Sequence, residues 1–195
     1  RSLLLRACLK KYDKSNLHLN AALEIIKVIC DACPESLRKE NKNGCLPLHI
    51  AARDSALEIV KLLLEKYPEA VRHANNKGIL PIQAAAAWGG KSPEFCRVLI
   101  ESYPGSERIT GAKGSQLLHL ACLCNTVNTV EYLYKLHPDA INVADARGYP
   151  IDFAIAGLKI RDSPMTAVNV VKLLLECNSK MALQELNGRS LLLRA

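Results

Sequence analysis

A glycine recurring at a fixed interval constrains this chain more than any other feature. Gly44, Gly78, Gly114, Gly148 and Gly188 head the segments Gly44-Cys-Leu-Pro-Leu-His-Ile-Ala51, Gly78-Ile-Leu-Pro-Ile-Gln-Ala-Ala85, Gly114-Ser-Gln-Leu-Leu-His-Leu-Ala121, Gly148-Tyr-Pro-Ile-Asp-Phe-Ala154 and Gly188-Arg-Ser-Leu-Leu-Leu-Arg-Ala195. A second apolar block follows at a constant offset: Ile25 to Ile29, Ile59 to Leu64, Cys96 to Ile100, Val130 to Leu133 and Val170 to Leu175. The first four of these blocks run into Pro34, Pro68, Pro104 and Pro138. From Gly44 to Gly78 is 34 residues, so each unit is one turn and two amphipathic helices.

The chemistry fits that reading. Glycine supplies a permissive turn, and Pro47 or Pro81 stands where a first helical turn tolerates a missing N–H. Ala51, Ala85, Ala121 and Ala154 let helices approach closely. Leu57, Val60, Leu63 and Leu64 fall on one helical face. A hairpin of this kind cannot hide its own apolar side, so it must stack on neighbours. At 195 residues and 49% hydrophobic, the chain can bury a substantial core.

The blocks resemble ankyrin repeats, whose G-x-T-P-L-H-x-A signature stands here as Gly44-Cys45-Leu46-Pro47-Leu48-His49-Ile50-Ala51. The Leu-Pro-Leu-His variant, joined to Tyr67-Pro68-Glu69-Ala70, is similar to arrays of microalgae and related protists. The resemblance covers essentially the whole chain and implies an all-α ankyrin-repeat solenoid of stacked helix-turn-helix units with short finger turns. Its repeats are read as 1–40, 41–74, 75–110, 111–144 and 145–186, with 187–195 opening a further one. Repeat one has leucine at the histidine position, and repeat five has Asp152 there and one residue fewer between Gly148 and Pro150. Inserts at Lys10 to Ala22 and Leu158 to Ala167 predict lengthened helices or loops.

The segment Arg-Ser-Leu-Leu-Leu-Arg-Ala occurs at residues 1–7 and again at 189–195, a shift of 188. One reading is a superperiod, with the chain one register of a longer tandem array that extends as a fibre or stacks head to tail. The other is an arbitrary stretch of a long solenoid in which two repeats share a short match. On either, Leu3, Leu4 and Leu191 to Leu193 are expected at open faces.

Catalytic and metal constellations do not assemble. Cys30-Asp-Ala-Cys33 lacks the second close pair or histidines of a zinc site, and its i, i+3 spacing in a helix reads as packing. The resemblance implies that His49 and His119 bond turn backbone and tie adjacent repeats. Gly89-Gly90-Lys91-Ser92 lacks the full phosphate-loop pattern and reads as a helix–helix linker. No enzyme activity, cofactor, metal or small-molecule substrate is therefore expected. Eight cysteines scattered among helical apolar residues point to a reducing compartment, the cytoplasm; an extracellular fibre is the alternative. No apolar run is long enough to cross a bilayer.

The resemblance implies binding through finger tips and the exposed side of first helices. Carried over, the partner-binding candidates are Lys42, Asn43, Arg53, Asp54, Lys77, Ile79, Trp88, Lys113, Leu123, Arg147 and Tyr149. Lys42, Lys77, Lys113, Arg147 and Arg189 would line one edge with positive charge, in a chain of net charge +7. Trp88 is either an interface anchor or packing beneath the Gly89-Gly90 linker. Protein partners or end-to-end self-association are expected. Nucleic acid is not, because acidic residues such as Glu58, Glu65 and Glu69 interleave with the cations. The preferred function is a non-catalytic scaffold within a long array, the alternative an adaptor or regulatory domain of a larger signalling protein or channel.

Overall fold

Proline decides where three of the first helices begin. Pro47, Pro81 and Pro150 each occupy the opening position of a helix, where the backbone N–H has no partner to lose. The computed structural model describes residues 2–9, 16–111, 113–160, 163–180 and the backbone of 185–186 and 189–190. The first helices of the hairpins are α1 (Leu3–Cys8), α3 (Pro47–Asp54), α5 (Pro81–Ala87), α7 (Leu117–Cys124) and α9 (Pro150–Ala156). The second helices are α2 (Asn16–Ala32), α4 (Leu57–Lys66), α6 (Pro93–Ser102), α8 (Val127–Leu136) and α10 (Pro164–Cys177). Both predicted inserts adjoin lengthened helices: α2 has 17 residues and α10 has 14, against 10 in α4. Part of each insert lies outside the described residues, as do Ala112 and Leu191 to Leu193. Two short strands, β1 (Glu185–Leu186) and β2 (Arg189–Ser190), pair antiparallel with Glu185 opposite Ser190.

The prolines after the second helices do more than stop them. Pro34, Pro68 and Pro138 open 3₁₀ turns over Pro34–Arg38, Pro68–Arg72 and Pro138–Asn142. The residue ahead of each, Cys33, Tyr67 or His137, is held extended near φ −148, −149 and −141°, as the following ring demands. In repeat three Gly105 adopts φ +89° and the turn shortens to Ser106–Arg108.

The contacts divide the chain into two units, one of Arg1–Ala85 with Arg97–Pro104, the other of Ala86–Cys96 with Gly105–Ala195. In the first unit α1 packs on α2 and α3, and α4 on α2 and α3. Leu4, Ile26, Leu48, Ile59 and Leu63 form its fully buried centre, each worth about 1.5–3 kcal/mol of removed apolar surface. Ile59 and Leu62 are buried along with Val60, Leu63 and Leu64, so α4 is covered more widely than a single stripe. Leu4 is fully buried rather than at an open face. In the second unit α7 packs on α8 and α9, and α10 on α8 and α9, around Leu117, Leu118, Ile151 and Leu174. Ala51, Ala85, Ala121 and Ala154 are all fully buried, which fits their role as close-approach positions.

Within the second unit, the linker after α5 is stitched to the α7–α8 corner. Asn125, fully enclosed, accepts from Lys91 N–H at 2.9 Å and donates to Ala86 O at 2.9 Å. Thr129 Oγ donates to Lys91 O at 2.5 Å. A Cβ on Gly89 would collide with the Cys124 carbonyl oxygen. Asn125→Ala is expected to cost about 2–3 kcal/mol, since it strands buried backbone groups, and urea denaturation followed by circular dichroism checks it.

Candidate interaction surface

Three of the fingers are built by an asparagine or aspartate three residues before the glycine; before Gly114 that place is taken by Gly111. Asn41 Oδ1 accepts from the Asn43 and Cys45 N–H groups at 2.8 and 3.1 Å. Asn75 Oδ1 does the same for Lys77 and Ile79 at 2.9 and 3.1 Å. Asp145 Oδ1 holds the Arg147 and Gly148 N–H groups at 2.6 and 3.2 Å. Such side chains mimic a backbone turn and fix the tip. Gly44 and Gly78 adopt φ +72 and +71°, the left-handed region that favours glycine. The spacing Asn41-x-x-Gly44 and Asn75-x-x-Gly78 carries this signal in sequence, but sequence reasoning stopped at the glycines.

Neighbouring fingers are bonded within each unit. In the first, Asn76 N–H donates to Asn43 O at 3.1 Å, and Asn76 Nδ2 donates to Lys42 O at 3.4 Å. In the second, Ala146 N–H donates to Lys113 O at 3.3 Å. Lys42, Asn43 and Lys77 are exposed beside one bonded pair, Lys113 and Arg147 beside the other. Arg147, though exposed, is engaged: its guanidinium lies 4.4 Å over the Phe153 ring and donates to Ser115 Oγ at 3.1 Å. The slot after the glycine turns partly inward. Ile79, Cys45 and Tyr149 are half-buried, and Ser115 is buried because its hydroxyl donates to the Asp145 carboxylate.

The histidine slot is a capping position with interchangeable chemistry. His49 Nδ1 accepts from Leu46 N–H at 3.3 Å, leaving Nε2 to donate to Ile79 O at 2.9 Å in the next finger. Gln83 Oε1 accepts from Leu80 N–H at 2.9 Å, and Asp152 Oδ2 from Tyr149 N–H at 2.7 Å. His119 Nδ1 accepts from Gln116 N–H at 3.2 Å, yet its buried Nε2 has no hydrogen-bond partner among the described residues. The Val143 and Gly148 backbone of the following finger lies close enough to favour the protonated ring, without meeting Nε2 in hydrogen-bond geometry. Burial pushes His49 down to about 4 despite the Ile79 carbonyl. His119 is likewise lowered by burial, against the pull of Asp145.

A hollow forms on the predicted surface. In the first unit, about 580 Å³ opens between α1, α3 and the first finger, floored by Leu5, Leu9 and Ile50 and rimmed by Lys39, Glu40, Lys42, Asn43 and Arg53. Arg53 is steadied by Asp54, whose Oδ2 accepts from Nε and Nη2 at 2.9 and 2.7 Å. Trp88 is 54% exposed just past the end of α5, while Leu123 in α7 is half-buried.

Cys8, Cys30, Cys96 and Cys122 are buried, and Cys33, Cys45, Cys124 and Cys177 are partly exposed. Burial raises Cys8 and Cys96 to about 12, so neither yields a thiolate near neutral pH. Cys33 is raised by its bond to Glu35, and Cys30 by burial. Among the described residues no group of three or more His, Cys, Asp or Glu is placed to hold a metal ion. No helix among them is long and apolar enough to cross a membrane.

Stacked helical hairpins with bonded finger turns define a repeat protein of the interaction class, in which the histidines serve the turns and the buried thiols serve packing. The family model for ankyrin repeats (3 copies) matches residues 16–108, and the chain is an ankyrin-repeat protein. Ankyrin repeats are protein-interaction modules. No curated protein matches the chain.

Proposed function

We propose that the chain is a non-catalytic scaffold whose first unit binds an extended segment of a partner protein in the hollow beside the first finger. The hollow itself carries the reading. Its apolar floor of Leu5, Leu9 and Ile50 accepts an aliphatic or aromatic side chain, and Lys39, Lys42 and Arg53 on its rim outnumber Glu40. A peptide bearing acidic residues around an apolar anchor fits that arrangement, with charge steering encounter and the anchor supplying most of the affinity. Lys77 and Ile79 extend the same surface on the neighbouring finger. The recurrence of Arg-Ser-Leu-Leu-Leu-Arg-Ala favours a tandem array over a single adaptor domain, and electron microscopy of the native assembly would separate the two.

A peptide-display selection against the chain tests the binding reading. Acidic peptides around one apolar residue should be enriched, and Lys42→Glu should weaken them roughly tenfold, equivalent to about 1.4 kcal/mol. Selected peptides indifferent to Lys42→Glu and to Leu9→Lys would overturn it. Tight, strongly salt-dependent binding of DNA or RNA would instead favour nucleic acid.

A further inference from the structure

The residue ahead of the finger glycine is a cation in three described fingers, Lys77, Lys113 and Arg147, and an asparagine in the first. Among the described residues Asn43 is the only asparagine followed by glycine. The main-chain nitrogen after an asparagine can attack that asparagine's side-chain carbonyl carbon, and glycine leaves the nitrogen unshielded. Attack has two requirements. The nitrogen must give up its proton to solvent, and the main chain must turn freely enough to close a five-membered ring.

The first finger withholds both while it is closed. Gly44 N–H donates to Asn41 O at 2.9 Å, and Asn43 N–H donates to Asn41 Oδ1 at 2.8 Å. From the second finger, Asn76 N–H donates to Asn43 O at 3.1 Å and Asn76 Nδ2 to Lys42 O at 3.4 Å. A Cβ on Gly44 would collide with Asn76, so the second finger lies directly against the turn. Gly44 is buried, but Asn43 beside it is exposed, with room for ammonia to leave and water to enter. Exposed turns open locally at far lower cost than a packed core.

We propose that Asn43-Gly44 is a self-modification site, at which Asn43 deamidates to aspartate and isoaspartate at a rate set by opening of the first finger. The Gly44 nitrogen loses its proton to solvent base and bonds to Asn43 Cγ. The Cγ–Nδ2 bond breaks, and Nδ2 departs as ammonia. Water then opens the cyclic imide at either carbonyl. One water is consumed and one ammonia released, so no oxidant or cofactor takes part. Both products place a carboxylate beside Lys42 and lower the net charge of +7 by one. Isoaspartate also lengthens the main chain of the turn by a methylene. The site stands or falls separately from the peptide-binding reading, because nothing in its chemistry involves a partner.

Incubation of the 195-residue chain in mildly alkaline buffer, followed by tryptic peptide mapping, tests it. The mass gain of amide becoming acid should appear at Asn43 ahead of every other asparagine among the described residues. Asn187-Gly188 falls on a separate peptide and is read apart. In urea the step should run about tenfold faster or more, because no turn bond then holds Gly44 N–H. Asn41→Ala, which removes the acceptor of the Asn43 and Cys45 N–H groups, should raise the native rate about fivefold. Hydrogen exchange at Gly44 should rise in step. Equal rates in the folded and the urea-unfolded chain would overturn the gating, and that comparison needs no variant to fold. So would an Asn41→Ala chain in which Gly44 exchanges faster while Asn43 reacts no faster. Earlier modification of another described asparagine would overturn the site itself.

Discussion

Asp145→Ala is expected to lower the stability of the second unit by about 4 kcal/mol, because it removes a buried carboxylate on which several donors converge. The Arg147 and Gly148 N–H groups, the Ser115 hydroxyl and the Arg147 guanidinium all donate to it. Burial alone would raise this carboxyl, but Ser115, the Arg147 N–H and guanidinium and His119 outweigh it, so it stays below the ordinary value. A depressed carboxylate stabilises the fold above its unfolded value near pH 4 and loses that contribution as pH falls through the folded value. Asp145→Asn should cost far less, about 1–2 kcal/mol, because Asn75 serves the equivalent finger in the first unit with an amide oxygen. Trp88 is the sole tryptophan and belongs to the second unit, so urea unfolding followed by its fluorescence reads the effect. Equal losses for alanine and asparagine would show that the turn bonds carry little.

The second large effect is acid lability of the first unit through His49. The buried ring titrates at about 4 in the folded state against roughly 6.5 in the unfolded chain. Above pH 6.5 both states hold it neutral. Between 6.5 and 4 only the unfolded state takes the proton, so stability falls by about 3 kcal/mol across that window. Burial is the main reason the fold refuses the proton, and His73, edge-on with ring centroids 5.7 Å apart, adds to it, while Nδ1 already accepts from Leu46 N–H. His49→Gln imitates the chain's own third repeat, where Gln83 caps Leu80 N–H. Thermal melts of this variant from pH 7 to 4.5 should show a shallower decline than wild type. An unchanged slope would assign the acid sensitivity elsewhere.

The hairpins were legible because their signals are local: a glycine at each finger, proline at a helix start, apolar residues at helical spacing. Three features were not. The 3₁₀ turns after Pro34, Pro68 and Pro138 follow from backbone left over once the second helix ends, and apolar pattern says little about five residues. Gln83 and Asp152 break the histidine motif to the eye, yet any side chain that accepts a hydrogen bond three residues into the helix can cap it. Arg147 reads like Lys77 at a finger tip, but an aromatic Phe153 and a buried Asp145 give a guanidinium somewhere to lie, and neither neighbour is adjacent in sequence. For the candidate surface, the residues of the first finger and α3 meet around one hollow. Its floor of Leu5 and Leu9 comes from α1 and the residue after it, whose part no finger pattern announces.

The buried thiols turn the protein into its own stopwatch. Cys8 lies in the first unit and Cys96 in the second, and neither can meet a thiol reagent until its surroundings part. Alkylation rates at these two positions, resolved by mass spectrometry, therefore time the breathing of each half separately. Ligand and acid would each leave a different pair of rates.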